Sequence, residues 1–314
     1  MRLTRSNKSV SQLAMIVCAA YLLGCTGGSR DDPGESSKRP EKKQLSVFTV
    51  NYPLFYFVER IGGDRVDVFF PAPPDIDPAF WFPDPEKISK FQAADVIYLN
   101  GARYAGWSEH VSLPPSRVVN TMDLSQERLL EVKGTVRHRH GPQGTHTHGE
   151  IAFTTWLDPT VALEQARVIA QTLSERSPAQ ENEFQTAFES LGADLMAIDA
   201  GWSEAFSWLS NQPILGSHPV YQYLAHRYEL DLESVHFEPG EFPDEPSWQE
   251  LERLLERHPA KWMLWEDQPL TETSARLVQL GIKVIVFRPA ANRPAKGDFH
   301  TVMRENGENV RNAR

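Results

Sequence analysis

The chain has 314 residues, 40 % of them hydrophobic, with 16 Phe, 8 Trp and 8 Tyr, and carries a formal net charge of −10. That is enough apolar surface for two lobes of ordinary size, which excludes wholesale disorder. The acidic balance argues against nucleic acid as a partner, because phosphate binding needs a basic face, and it is compatible with attracting cations.

The first 25 residues read as an export signal. Arg2, Arg5 and Lys8 form a basic start, and Leu13 to Leu23 form an apolar run too short for a membrane span. The run ends in Leu22-Leu23-Gly24-Cys25, which resembles a bacterial lipobox. Its chemistry is thioether attachment of diacylglycerol to Cys25 and cleavage before it, so the mature chain would begin at Cys25, anchored at the outer face of the cell membrane or in the periplasm. Both cysteines lie within these 25 residues. Thiolate is therefore excluded as a metal ligand or nucleophile in the mature domain. Residues 26–44 are Gly, Ser, Asp, Lys and Pro with almost nothing apolar, the composition of a flexible tether.

Order is expected to begin at Leu45 to Val50, a short β-rich run. A helix follows over Leu54 to Ile61 and stops at Gly62-Gly63. Arg65 to Phe70 predicts a second strand, residues 85–94 a helix, and Val96 to Leu99 a third strand. Strand and helix in alternation is the signature of a parallel sheet with crossover helices. Residues 137–149, RHRHGPQGTHTHG, break the pattern and read as a surface loop. Pro159 to Leu173 is helical, and a long helical pattern runs from Pro178 to about Leu209. A second series then begins at Ile214. Its strands are expected at Ile214 to Gly216, Ser234 to Phe237, Trp262 to Trp265 and Lys283 to Phe287. Its helices are expected at Tyr221 to Tyr228, Trp248 to Arg257, Thr271 to Leu280 and Phe299 to Val310. The fold class is α/β with two lobes, each a mainly parallel sheet with flanking helices. The N-terminal lobe would span 45–177, a linking helix 178–209, and the C-terminal lobe 210–314.

The loudest chemical signal is His138, His140, His146 and His148 within eleven residues. Imidazole is a common transition-metal ligand near neutral pH, and a loop that must lose entropy to close on an ion suits capture better than tight storage. His218 stands at a strand-to-helix junction, and strand C-termini of α/β lobes face the crevice where ligands bind. Glu238 follows one expected strand, and Glu266 and Asp267 follow another, at the same topological end. Any one of these carboxylates alone would be ordinary surface charge; their convergence on the rim that holds His218 singles them out. His110, His226, His236, His258 and His300 are scattered and read as surface or packing residues. No G-x-S-x-G, P-loop, dinucleotide fingerprint or H-E-x-x-H is present, so the chain reads as a binding protein and not an enzyme.

In order and spacing, several segments resemble the zinc/manganese solute-binding proteins of ABC importers, the cluster whose lobes are joined by a long helix. They are Asn51-Tyr52-Pro53 with Ile61-Gly62-Gly63-Asp64-Arg65-Val66; Ala94 to Gly101 with Trp107; Trp156-Leu157-Asp158-Pro159; and Ser217 to Tyr223. The resemblance implies a monomeric, lipid-anchored extracytoplasmic subunit that binds a divalent transition metal in the interlobe cleft and delivers it to a permease. Zn2+ stands first, with Mn2+ or another such ion as alternatives. It also implies three His and a carboxylate as ligands, and here the chain departs from it. Ala79 follows Asp77-Pro78 where the first His is expected. Thr154 stands two residues before Trp156 in place of the second. His218 matches the third. Arg288 precedes Pro289 where the carboxylate is expected, and a permanent cation there opposes a dication. Two readings of the cleft compete. In one the site is rebuilt from His218, Glu238 and loop imidazoles such as His146 and His148. In the other the cleft takes a chelated metal or another anionic ligand between Phe80, Trp81, Phe82, Trp156 and Arg288. A third reading is a metal-buffering lipoprotein that uses the His loop without a permease.

Overall fold

The computed structural model describes residues 44–132, 137–139, 145–147 and 151–314, with the backbone alone for 124, 137–139 and 145–147. The export signal, Cys25, His140 and His148 lie outside these residues, as do the side chains of His138 and His146.

Among the described residues ten strands and eight α-helices follow in chain order: β1 (Leu45–Thr49), α1 (Tyr52–Gly62), β2 (Val66–Phe69), α2 (Pro85–Ala93), β3 (Val96–Leu99), β4 (Val118–Asn120), β5 (Arg137–Arg139), β6 (Thr145–Thr147), α3 (Pro159–Arg176), α4 (Glu181–Phe206), β7 (Pro213–Gly216), α5 (Gln222–Arg227), β8 (Asp231–Ser234), α6 (Glu245–Arg257), β9 (Trp262–Trp265), α7 (Thr271–Gln279), β10 (Lys283–Val286) and α8 (Phe299–Asn312). The first sheet has the order β2-β1-β3-β4 and the second β10-β9-β7-β8; every pairing within them is parallel. The two-lobed α/β architecture expected from the sequence is therefore the one observed.

Local chemistry explains the elements. Asn51, Asp84, Asp158, Asp244 and Asp298 each cap a helix by accepting a backbone N–H of its first turn. In four of the five a proline opens the helix, where its missing N–H costs nothing. Along α1 the buried Leu54, Phe57, Val58 and Ile61 recur at helical spacing. The helix α4 runs 26 residues, about 39 Å at 1.5 Å per residue. It packs on α1 and α3 on one side and α8 on the other, so one core runs through both lobes.

The second sheet shows the period of two. Ile214, Leu264 and Ile285 enter the shared core. Leu215, Met263 and Trp265 enter a separate core with Phe237, Trp248 and Leu277.

Three elements differ from expectation. β4 was not anticipated; its three residues are too short to show a pattern. The His-rich segment contains an antiparallel pair in which His138 stands opposite His146. The strand expected over Ser234 to Phe237 lies earlier, over Asp231–Ser234. The chain beyond it stays extended and remains tied to the neighbouring segment, Val235 N–H donating to Gly216 O (3.0 Å) and Phe237 N–H to Ser217 O (2.7 Å). The β-branched and aromatic residues that suggested a strand at 234–237 are this extension.

The lobes are cross-linked beyond α4. Thr154 Oγ1 donates to Val220 O (2.5 Å) and Trp156 Nε1 to Pro289 O (2.7 Å). Tyr52 N–H donates to Ala291 O (3.0 Å). A charged cluster adds to these: Arg227 grips Asp199 of α4 with two hydrogen bonds (2.9 and 2.6 Å) and lies 3.9 Å from Asp158, which also pairs with Arg128 (2.8 Å).

Candidate metal centre

The register of the second sheet builds the site. Gly216 of β7 stands opposite Leu264 of β9, so two residues on, His218 comes alongside Glu266. Ser217 N–H, donating to Leu264 O at 2.8 Å, holds that register past the strand end. On the other side Gly216 stands opposite Ser234, which brings His236 alongside His218. Val235 and Phe237 are buried in the second core, so His236 and Glu238 face the opposite way in the extended chain.

His218 is 4 % exposed. Its Nε2 lies 3.6 Å from Glu238 Oε1, its Nδ1 lies 3.4 Å from Glu266 Oε1, and its ring meets that of His236 edge-on at 5.8 Å. The sequence had set His236 aside; the alternation of buried and turned-out residues after β8 is the signal that finds it.

Glu266 carries a strong electrostatic mark. Its carboxyl is pushed up to about 8, first by burial and then by the negative charges of Asp77 and Glu238. Asp77 is a residue of the first lobe, and the sequence had treated it only as the residue before Pro78. Its Oδ1 accepts from Ala79 N–H (2.9 Å), and its carbonyl accepts from Phe80 and Trp81 N–H (3.1 Å each). Phe80 packs on Phe153 (6.2 Å), and the next residue, Thr154, is bonded to Val220; that chain of contacts brings the Asp77 turn towards the His218 segment. Burial and the same Asp77 charge hold the Tyr104 phenol well above its ordinary value, and Tyr104 Oη, buried, has no hydrogen-bond partner among the described residues.

The remaining sequence candidates fall elsewhere. Asp267 is turned outward and accepts from Arg288 Nε at 3.0 Å. Arg288 also lies 3.8 Å from Glu305, so two carboxylates match the cation that the sequence placed at the site. Thr154 is 3 % exposed and its hydroxyl is committed to Val220 O; where the resemblance expects a ligand, this chain has a latch between lobes. Ala79 is buried and contributes its N–H to Asp77.

The donor chemistry suits a borderline dication. Two donors each about 2.0–2.2 Å from a tetrahedral ion stand about 3.3–3.6 Å apart. Each ring nitrogen of His218 has a carboxylate oxygen at that spacing, and the second carboxylate would then serve the remaining ring N–H, as ligating imidazoles require. Among the described residues no three His, Cys, Asp or Glu side chains form a coordination set.

Two α/β lobes, a rigid helical link and a polar cluster at the sheet C-termini define a solute-binding protein of the helix-linked type. Residues 47–313 match the family model described as ZnuA, zinc-uptake complex component A, periplasmic, and the chain belongs to that family. It is 23 % identical over 284 residues to the high-affinity zinc uptake system protein ZnuA of Bacillus subtilis, covering 87 % of this chain and 86 % of that one. It is likewise 23 % identical over 228 residues to the manganese ABC transporter substrate-binding lipoprotein PsaA of Streptococcus pneumoniae, covering 70 % and 69 %. In fold it is similar to the Zn(II)-bound ZnuA-like domain of Streptococcus pneumoniae AdcA, with a TM-score of 0.70 at 19 % identity over 86 % of this chain and 98 % of that one. Among the described residues no helix is long and apolar enough to cross a membrane.

Proposed function

We propose that this chain is the extracytoplasmic solute-binding subunit of an ABC importer, that its cargo is Zn2+, and that it hands the ion to a permease. His218 with Glu238 and Glu266 would hold the ion from the second lobe, Asp77 would close on it from the first, and His236 would stand next to His218 as a further imidazole. The loop imidazoles His138, His140, His146 and His148 would collect metal, and Cys25 would carry the lipid anchor that keeps a monomer at the membrane. The 45–177 and 210–314 lobes, joined by 178–209, would frame the cleft.

The observation that carries this reading is the buried imidazole of His218 with a carboxylate facing each ring nitrogen (3.6 and 3.4 Å). The like charges of Asp77, Glu238 and Glu266 repel one another around the buried His218, and a dication would offset that repulsion. Nitrogen and oxygen donors without thiolate suit zinc and also admit manganese, and zinc binds such a set more tightly in the ordinary series of divalent ions. The chelate reading is weakened by the pairing of Arg288 with Asp267 and Glu305, which leaves it less charge to offer an anion.

Calorimetry with Zn2+ and Mn2+ tests the reading. One tight zinc site, weaker manganese binding, and a loss of more than about 100-fold in zinc affinity in His218→Ala are expected, since even outer partners of a ligand cost about 10- to 100-fold. Undiminished affinity in that variant would sink it.

A further inference from the structure

We propose that Asn292 is a positioning residue for metal binding, acting through the turn that presents Asp77 to the cleft. The inference rests on the reading of Asp77 as the first lobe's ligand.

After β10 the chain leaves the second sheet and crosses to the first lobe as a strap. Trp156 Nε1 donates to Pro289 O at 2.7 Å and Tyr52 N–H to Ala291 O at 3.0 Å. Between these two anchors Ala290 sits at φ +56°, a left-handed conformation that a residue with a side chain adopts at a cost and keeps only where its surroundings enforce it. Asn292 comes next. Its Nδ2 donates to Pro73 O (2.6 Å) and to Ile76 O (2.8 Å), using both amide hydrogens. Its Oδ1 accepts from Arg293 N–H (2.7 Å), which fixes the orientation of the amide. Arg293 continues the grip: its Nη1 donates to Phe70 O (2.8 Å), and its guanidinium lies over the rings of Phe55 and Phe70 at 4.6 and 4.9 Å.

The atoms that Asn292 holds decide its role. Pro73 and Ile76 are joined by a turn bond, Ile76 N–H to Pro73 O (3.4 Å). The carbonyl of Ile76 belongs to the peptide group whose nitrogen is that of Asp77, so Asn292 grips the peptide leading into Asp77. On the other side of that residue Ala79 N–H binds the carboxylate itself. Asp77 is thus set from behind by a side chain that originates in the second lobe's chain. The same strap begins at Arg288, which pairs with Asp267, the neighbour of Glu266. The carboxylate of one lobe is referenced to the other lobe by a path five residues long, Arg288 to Asn292. Metal–oxygen bonds tolerate only about 0.2 Å of misplacement, so a turn that is free to wander forfeits affinity even with every ligand present.

The test is a double-mutant cycle in zinc affinity on the full chain, with circular dichroism and Tm for each variant, and with Co2+ as a spectroscopic probe. Asn292→Ala is expected to lower zinc affinity about 10- to 100-fold, the range of outer-shell partners, and to change the visible spectrum of bound Co2+. In an Asp77→Ala background the same substitution is expected to cost nothing further. Should Asn292→Ala not fold, Asn292→Ser, which keeps one donor, takes its place with the same expectations. An equal loss in both backgrounds would assign Asn292 a general structural role and overturn the proposal. So would unchanged affinity in Asn292→Ala while Asp77→Ala loses it, a result that leaves the ligand reading intact. Full affinity in Asp77→Ala overturns both.

Discussion

His218 and Glu266 follow the ends of two different strands, 48 residues apart in sequence, yet the register of β7 on β9 sets them side by side with Nδ1 and Oε1 3.4 Å apart. In the proposed site that pairing would cost the empty protein and serve the loaded one. Glu266→Gln keeps the size of the side chain and removes the charge. We expect it to lower zinc affinity at least tenfold and to raise the Tm of the metal-free protein at pH 8, the trade between activity and stability common to strained sites. Titration calorimetry and a thermal melt on the same samples check both halves. Lower affinity without the gain in Tm would mean that Glu266 is not destabilising in the empty site.

The pH dependence has a definite sign. The carboxyl of Glu266 is raised from an ordinary 4.5 to about 8 in the folded protein. Between those values the folded state holds a proton that the unfolded chain has released. Stability therefore falls as pH rises through that window; the contribution is intact below about pH 4.5 and lost as pH passes about 8. The metal-free protein should lose Tm between pH 5 and 8.5, Glu266→Gln should lack that component, and zinc should abolish it. Zinc binding at pH 7 should also release a proton, read as a dependence of the calorimetric heat on the buffer's ionisation enthalpy. Equal observed heats in buffers of different ionisation enthalpy, once metal–buffer binding is allowed for, would contradict the assignment.

Much of the fold was legible because its signals are local. The alternation of Val96 to Leu99 with helices, the capped prolines at Pro53, Pro85 and Pro159, and the apolar runs at Trp262 and Lys283 each declare an element within a few residues. Strand order also placed His218, Glu238 and Glu266 on one rim. What stayed hidden is non-local. Asp267 and Glu266 are neighbours of the same type, and only the pairing of Asp267 with Arg288, in the segment after β10, tells them apart. Thr154 looks like a vacant ligand place until Val220 is seen across the lobe boundary. Asp77 and His236 could be recognised only once the sheet register and the strap from β10 were in place.

Thr154→Val tests the latch. The substitution keeps the β-branched shape and deletes the hydroxyl that donates to Val220 O, leaving that carbonyl unsatisfied in a buried setting. The cost expected is about 1–3 kcal/mol of stability. Zinc affinity should change by less than about threefold, because the hydroxyl is committed away from the ion. A collapse of affinity without loss of stability, measured by urea melts alongside calorimetry, would instead return Thr154 to the ligand set.

Removal of residues 137–149 separates the cleft from the His-rich segment. Every donor in the proposed centre lies outside that stretch, at positions 77, 218, 236, 238 and 266. The truncated protein should therefore keep one tight zinc site and lose only weaker additional binding, because a segment that must become ordered around an ion gives up part of its binding energy to conformational entropy. Calorimetric stoichiometry is the readout, with a competing chromophoric chelator for the tight site. If the deletion removes tight binding, His146 and His148 supply first-sphere ligands and His218 alone cannot organise the site. If it removes only the weak phase, the imidazoles act in capture, and the buffering role assigned to the whole protein gives way to a carrier with a collecting segment.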